Sequence, residues 1–128
     1  MDEHREAVEG ALRATDAFMT ALNARDEAAL NAALHFPHVR IASGGVHVWE
    51  KPGDYRMDAF LARAGDGWDS SRWDFRTPLH ADPDKVHLDV QFTRLRADGS
   101  AIGAFRSLWV VAHIGGRWAI QARSSFAS

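Results

Sequence analysis

Apolar positions at the start of the chain recur every three or four residues. Val8, Ala11, Leu12, Thr15, Phe18, Met19 and Leu22 form one stripe, which predicts an amphipathic helix of about five or six turns. Asp2 is placed to cap it, with Glu3 and Glu6 near its positive end. The pattern breaks at Asn23-Ala24-Arg25. Asp26 then caps a short second helix with Ala29, Leu30, Ala33 and Leu34 inward, and Pro37 stops that helix from continuing.

From His38 to Ser43 the period becomes two, which predicts a strand with Val39 and Ile41 on one side and His38 and Arg40 on the other, ended by Gly44-Gly45. Val46 to Trp49 reads as a second strand. After the Pro52-Gly53 turn, Asp54 caps a third helix running to about Ala64, with Met57, Phe60, Leu61 and Ala64 buried. Trp68 opens an all-strand half. Ser71, Trp73, Phe75, Thr77 and Leu79 alternate with Arg72, Asp74 and Arg76. A turn at Ala81 to Asp84 leads into a long strand from Lys85 to Arg96. Asp98-Gly99 and Gly115-Gly116 are hairpin turns around Ala101 to Phe126. The order α-α-β-β-α-β-β-β-β predicts an α+β domain over residues 1–128, with three helices on a curved, mainly antiparallel sheet.

Two-residue turns fix a register. Phe92 then opposes Phe105, Leu88 opposes Trp109, Val111 opposes Ile120, Trp109 opposes Ala122, and Ser107 opposes Ser124. One face collects Val86, Leu88, Val90, Phe92, Phe105, Trp109, Trp118, Ile120 and Phe126, with Ser107, Ser124 and His113 as polar exceptions. The opposite face carries Arg106, Leu108, Val110, Gln121 and Arg123, a mixture that suits a subunit interface, and places Asp89 near Arg106 or Arg123.

Composition narrows the function. Apolar residues make up 46% of the 128, enough for one core without metal or disulfide. A net charge of −2 gives no general attraction to nucleic acid or to an acidic membrane surface. The absence of cysteine excludes disulfides, thiolate metal sites and a Cys nucleophile. No apolar run reaches membrane-spanning length and no signal peptide is visible, so the expected location is the cytoplasm.

Three stretches resemble the NTF2-like superfamily, of the SnoaL-like and ketosteroid-isomerase-like kind with the cystatin-like cone fold. They are FMTALNARDEAALNAAL from Phe18 to Leu34, FPHVRIASGG after it, and the closing GRWAIQARSSF. The resemblance implies a conical α+β barrel, a pocket between the concave sheet and the helices, and homodimers through the sheet. It does not carry a mechanism over. Where the steroid isomerases have a Tyr on the first long helix, this chain offers Phe18, and its first strand ends Ile41-Ala42-Ser43-Gly44 without an acid. Asp89 and Arg106 imitate two members of the Asp-Arg-Asp set of the epoxide hydrolases of this fold, on the face away from the pocket.

Within that frame, His38 and Tyr55 are the candidate acid–base pair. Trp49, Trp68, Trp73, Phe92, Phe105 and Trp109 are candidate walls for a small hydrophobic ligand, with Ser107 and Ser124 as polar anchors. His35, His38 and His47 lack an organised acidic partner, so neither metal nor other cofactor is expected. Two functional classes stand: an acid–base enzyme of the isomerase, cyclase or hydratase kind acting on a cyclic hydrophobic ligand, and a non-catalytic dimeric association module.

Overall fold

The computed structural model describes residues 4–128. The expected cap at Asp2, with Glu3, lies outside the described residues. Helix α1 runs Arg5–Asn23, α2 Glu27–Ala32 and α3 Met57–Arg63. The strands are β1 Leu34–Ala42, β2 Gly45–Trp49, β3 Trp68–Asp82, β4 Lys85–Arg96, β5 Ala101–Ile114 and β6 Arg117–Ser125. One six-stranded sheet has the order β2-β1-β6-β5-β4-β3, antiparallel except where β1 lies parallel to β6. The sheet is open, with β2 and β3 at its edges, so the expected barrel does not close.

Helix α1 lays its buried side, with Ala11, Thr15, Phe18, Met19 and Leu22, on the inner face of the sheet. That face supplies Val86, Leu88 and Val90 from β4, Trp109 and Val111 from β5, and Ile120 from β6. Burying each large side chain here stabilises the fold by roughly 1.5–3 kcal/mol. Asp26 caps α2 by accepting from the Ala29 amide at 3.1 Å. Asp54 does not cap α3. It accepts from the Lys51 amide inside a turn, and the first amide of α3, Met57, is bound by the Glu27 carboxylate at 2.7 Å. This ties α3 to α2 instead of to its own leading loop.

The pairs Phe92–Phe105 and Leu88–Trp109 are the expected ones, but the Asp98-Gly99 turn is not the expected two-residue one. The Arg96 amide donates to the Ser100 carbonyl, Leu95 opposes Ala101, and a bulge at Ile102 restores the register at Arg94 opposite Gly103. The Gly115-Gly116 register holds only as far as Val111 opposite Ile120. Beyond it a bulge at Gln121 inserts one residue, so Trp109 opposes Arg123 and Ser107 opposes Ser125. Every side chain after the bulge changes face. Arg123 and Ser125 turn inward and become buried, while Ser124 turns outward and Phe126 is 84 % exposed. A bulge at Asp74 does the same in β3, leaving Phe75 and Leu79 outside. In β1 the two sides alternate as expected, and the polar side is the inner one. His38, Arg40 and Ala42 are buried and Ile41 is 53 % exposed, because β1 turns its polar alternates toward the interior.

Candidate functional site

The inner face is apolar at its centre and becomes cationic toward one end. There Arg40 of β1, Arg94 of β4 and Arg123 of β6 point inward, and Arg63 reaches over from the end of α3. Arg94 follows Val86, Leu88, Val90 and Phe92 in the same inward alternation. Arg40, Arg94 and Arg123 are all buried, at 4, 3 and 6 % exposure. With Arg63 they surround a cavity of about 20 Å³, room for roughly one water. Its other walls are Phe18, Met19 and Leu22 from α1, Phe60 from α3, Phe92 and Trp109 from the sheet, and the hydroxyls of Ser71 and Ser125.

No Asp or Glu side chain among the described residues forms an ion pair with these four arginines. Aromatic rings and main-chain oxygens hold them instead. The Arg94 guanidinium lies 5.2 Å from the Phe105 ring and 5.5 Å from Phe60. That of Arg123 lies within 5.5 Å of the Phe18, Tyr55 and Trp109 rings. Arg40 donates to the Ala127 main-chain oxygen at 2.7 Å, and Arg94 and Arg63 donate to that of Ser128 at 3.0 and 3.3 Å. Two buried donors stay unpaired, Arg94 Nε and Arg123 Nη2. Burial, reinforced by the neighbouring guanidinium groups, lowers Arg40 to about 9 and Arg94 to about 10. Both remain cationic at neutral pH. The end of the pocket is thus a positively charged wall with donors to spare.

His38 lies behind this wall, fully buried. Arg123 Nε donates to its Nε2 at 3.0 Å, and its Nδ1 lies 3.1 Å from the Ile120 carbonyl. That arrangement requires the neutral tautomer with the proton on Nδ1. Burial first, then the charge of Arg123, drives the ring down to about 2. The geometry makes His38 an acceptor that orients Arg123. It is absent from the cavity wall, where proton transfer to a ligand would take place.

Tyr55, at 1 % exposure, takes a hydrogen bond from Arg63 Nη2 at 2.8 Å, its ring between Phe18 and Trp49. Phe92 and Trp109 line the cavity, and Phe105 stands behind Phe92. Trp68 packs on Phe60 with its indole bound to Ser71 Oγ at 2.9 Å. Trp73 packs on Trp109 and fills space next to the cavity. Trp49 stacks beside His38 and Tyr55. Ser107 Oγ accepts from the Trp109 indole at 2.8 Å and donates to the Ser124 main-chain oxygen, so it is consumed by its neighbours. Ser124 and His113 face away from the cavity, His113 stacked on Trp118. His35 bonds to the Ala112 and Arg117 carbonyls, and no group of three potential metal ligands gathers among the described residues.

Arg123 and Arg106 part company. Arg106 forms the expected cross-strand pair with Asp89 at 2.6 Å on the outer face, and Arg123 moves to the pocket. The signals for the missed arginines were the inward alternation reaching Arg94 and the polar alternates of β1. The bulge at Gln121 carries no marker of its own.

Helices on one side of an open, curved sheet with a pocket between them define the α+β fold of NTF2-like, cystatin-like proteins. No family model matches the sequence, and no curated protein matches it. Solved structures do. A cystatin-like protein of unknown function from Nostoc punctiforme superposes with a TM-score of 0.77 at 13% identity, over 93% of this chain and 89% of that one. A ketosteroid isomerase-like protein from Erwinia carotovora gives 0.72 at 16%, over 95% and 96%. An NTF2-like protein from Novosphingobium aromaticivorans gives 0.73 at 14%, over 98% and 82%. At these identities the likeness is one of fold. No helix among the described residues is long and apolar enough to cross a membrane.

Proposed function

We propose that this chain is a small-molecule-binding protein whose ligand presents an anionic head to Arg40, Arg63, Arg94 and Arg123 and an apolar, ring-sized body to Phe18, Phe60, Phe92 and Trp109. One observation carries the reading: three buried guanidinium groups share a cavity that no Asp or Glu lines, and two of their donors have no acceptor. Buried charge is costly unless paired, so an anion from outside gains the full attraction of the wall. The main-chain oxygens of Ala127 and Ser128 hold three of the four arginines. A ring-sized ligand enters as that strap moves aside. Catalysis is no part of this reading.

Calorimetry and thermal melting with cyclic and aromatic carboxylates, each against its neutral amide, test it. The carboxylates raise the melting temperature and the amides do not, and Arg94→Met removes the difference. Equal binding of amide and acid would end the proposal.

A second reading concerns association and is compatible with the first. Val46, Ile41, Leu108, Leu79 and Phe126 are exposed on the outer side of the sheet, and the Asp89–Arg106 pair lies among them. A groove of about 330 Å³ runs between Leu79, Leu108 and Phe126. A second copy of the chain is the occupant we favour, since a self-complementary face with central apolar residues and a polar pair suits a two-fold dimer. Arg123 is not available to it, being buried on the opposite face. Sedimentation of Leu108→Glu against the parent protein tests this, with a monomeric parent at micromolar concentration as the refuting result.

A further inference from the structure

We infer that Tyr55 is the internal anion of this pocket, a phenolate held by Arg63 in the empty protein and competing with an incoming anionic ligand for the same guanidinium groups. The inference builds on the anion-binding reading above, but its first test needs no ligand.

Geometry carries it. The Tyr55 hydroxyl accepts from Arg63 Nη2 at 2.8 Å with the Arg123 guanidinium also beside it, and both of these groups only donate. The Arg123 guanidinium stands 5.5 Å from the ring centroid. A neutral phenol here has a proton with no acceptor, beside cations that no Asp or Glu side chain pairs. A phenolate resolves both faults, because it needs no acceptor and supplies the missing negative charge. The charged and titratable groups around it are Arg40 and His38 on β1, Arg63 at the end of α3, Arg94 on β4 and Arg123 on β6. His38 is neutral, with both ring nitrogens engaged. Helices α1 and α2 and strand β2 present Phe18, Asn31 and Trp49, none of which titrates. Burial alone pushes the phenol up. The charges of Arg123 and Arg63 push it down and outweigh burial, so the net direction is downward.

The proton balance is simple. When an anion occupies the arginine wall, the phenolate loses its attraction and takes one proton from solvent, becoming the neutral phenol. The pocket then exchanges one negative charge for another. Anion binding is therefore accompanied by proton uptake and weakens about tenfold per pH unit above the Tyr55 midpoint of the empty protein.

Tyr55 is the only tyrosine in the chain, so the near-ultraviolet phenolate band reports on it alone. In the native protein the band titrates below about pH 7, against an ordinary tyrosine value of about 10, and returns to that value in urea. Arg63→Met raises the native midpoint by about one unit. A native Tyr55 that is still mostly protonated at about pH 7 overturns the inference, whether or not any anion binds. Sodium benzoate supplies the second arm. Calorimetrically bound benzoate raises the midpoint and draws a proton from a weakly buffered indicator solution. Bound benzoate with an unmoved midpoint overturns the competition. A low midpoint with no binding by benzoate or sulfate supports the phenolate and counts against the anion-binding reading alone.

Discussion

Arg123 donates through Nε to Nε2 of His38 at 3.0 Å, a contact between two fully interior side chains 85 positions apart. The histidine is thereby fixed as a neutral acceptor, and the arginine is aimed at the cavity without any acid to hold it. The same contact joins β1 to β6, whose parallel pairing is the one non-antiparallel step in the sheet.

Removing the acceptor should therefore loosen the arginine. His38→Ala is expected to destabilise the fold by about 2–4 kcal/mol, the sum of a hydrogen bond to a charged group and a cavity. Urea unfolding measures it. A loss under about 0.5 kcal/mol would show that Arg123 does not depend on His38.

His38 also sets an acid dependence. Its folded value lies near 2 and its unfolded value near 6.5, so between those limits the unfolded chain binds a proton that the native state does not. Stability is then lost as pH falls below 6.5, by at most about 1.4 kcal/mol per pH unit from this one group. Unfolding free energies measured from pH 7 downward should show a shallower slope in His38→Asn than in the parent. Identical slopes would mean that the ring is protonated in the native state.

The arginine wall is expected to oppose stability. Replacing buried charged groups by well-packed apolar side chains of similar volume is often neutral or stabilising, by about 1–4 kcal/mol for ion pairs and triads. Arg94→Met should melt at a higher temperature than the parent in the absence of ligand, while losing the stabilisation that a bound carboxylate confers. A lower melting temperature without ligand would indicate that the Ser128 contact outweighs the cost of burial.

Gly10 of α1 lies directly against the Trp118 side chain of β6. A Cβ built there would stand 2.4 Å from Cδ1 of Trp118. Alanine improves helix propensity by about 1 kcal/mol, against a typical overpacking cost of about 1–3 kcal/mol. Gly10→Ala should thus be destabilising overall, and denaturant titration with Trp fluorescence would register both the loss and the displaced indole. A gain in stability would mean that Trp118 swings away freely.

The fold was readable because its signals are local and repeated. The α1 stripe, the Asp26 cap and the Asp98-Gly99 turn each act over a few residues, although Phe92 comes to lie opposite Phe105 only because the bulge at Ile102 offsets the longer turn. The site was less readable for the opposite reason. Arg40 and His38 occupy inward positions that a two-state polar pattern assigns to solvent, and that conflict is itself characteristic of functional surfaces. Arg94 was reachable by extending the β4 alternation one step past Phe92. Arg123 and Ser124 were not, because their faces depend on the extra residue at Gln121, which has the same chemistry as any other strand polar residue. Tyr55 was singled out as a lone phenol, without the cations that give it a partner.

The bulge at Gln121 gives the pocket's charge an unusual dependence on counting. Deleting that single codon would leave composition and net charge almost unchanged. It would nevertheless carry Arg123 to the outer surface, bring Ala122 and Ser124 inside, and convert a cationic interior with a mixed exterior into an oily interior with a basic exterior. For this chain, an insertion or deletion in β6 is a change of chemistry rather than of length.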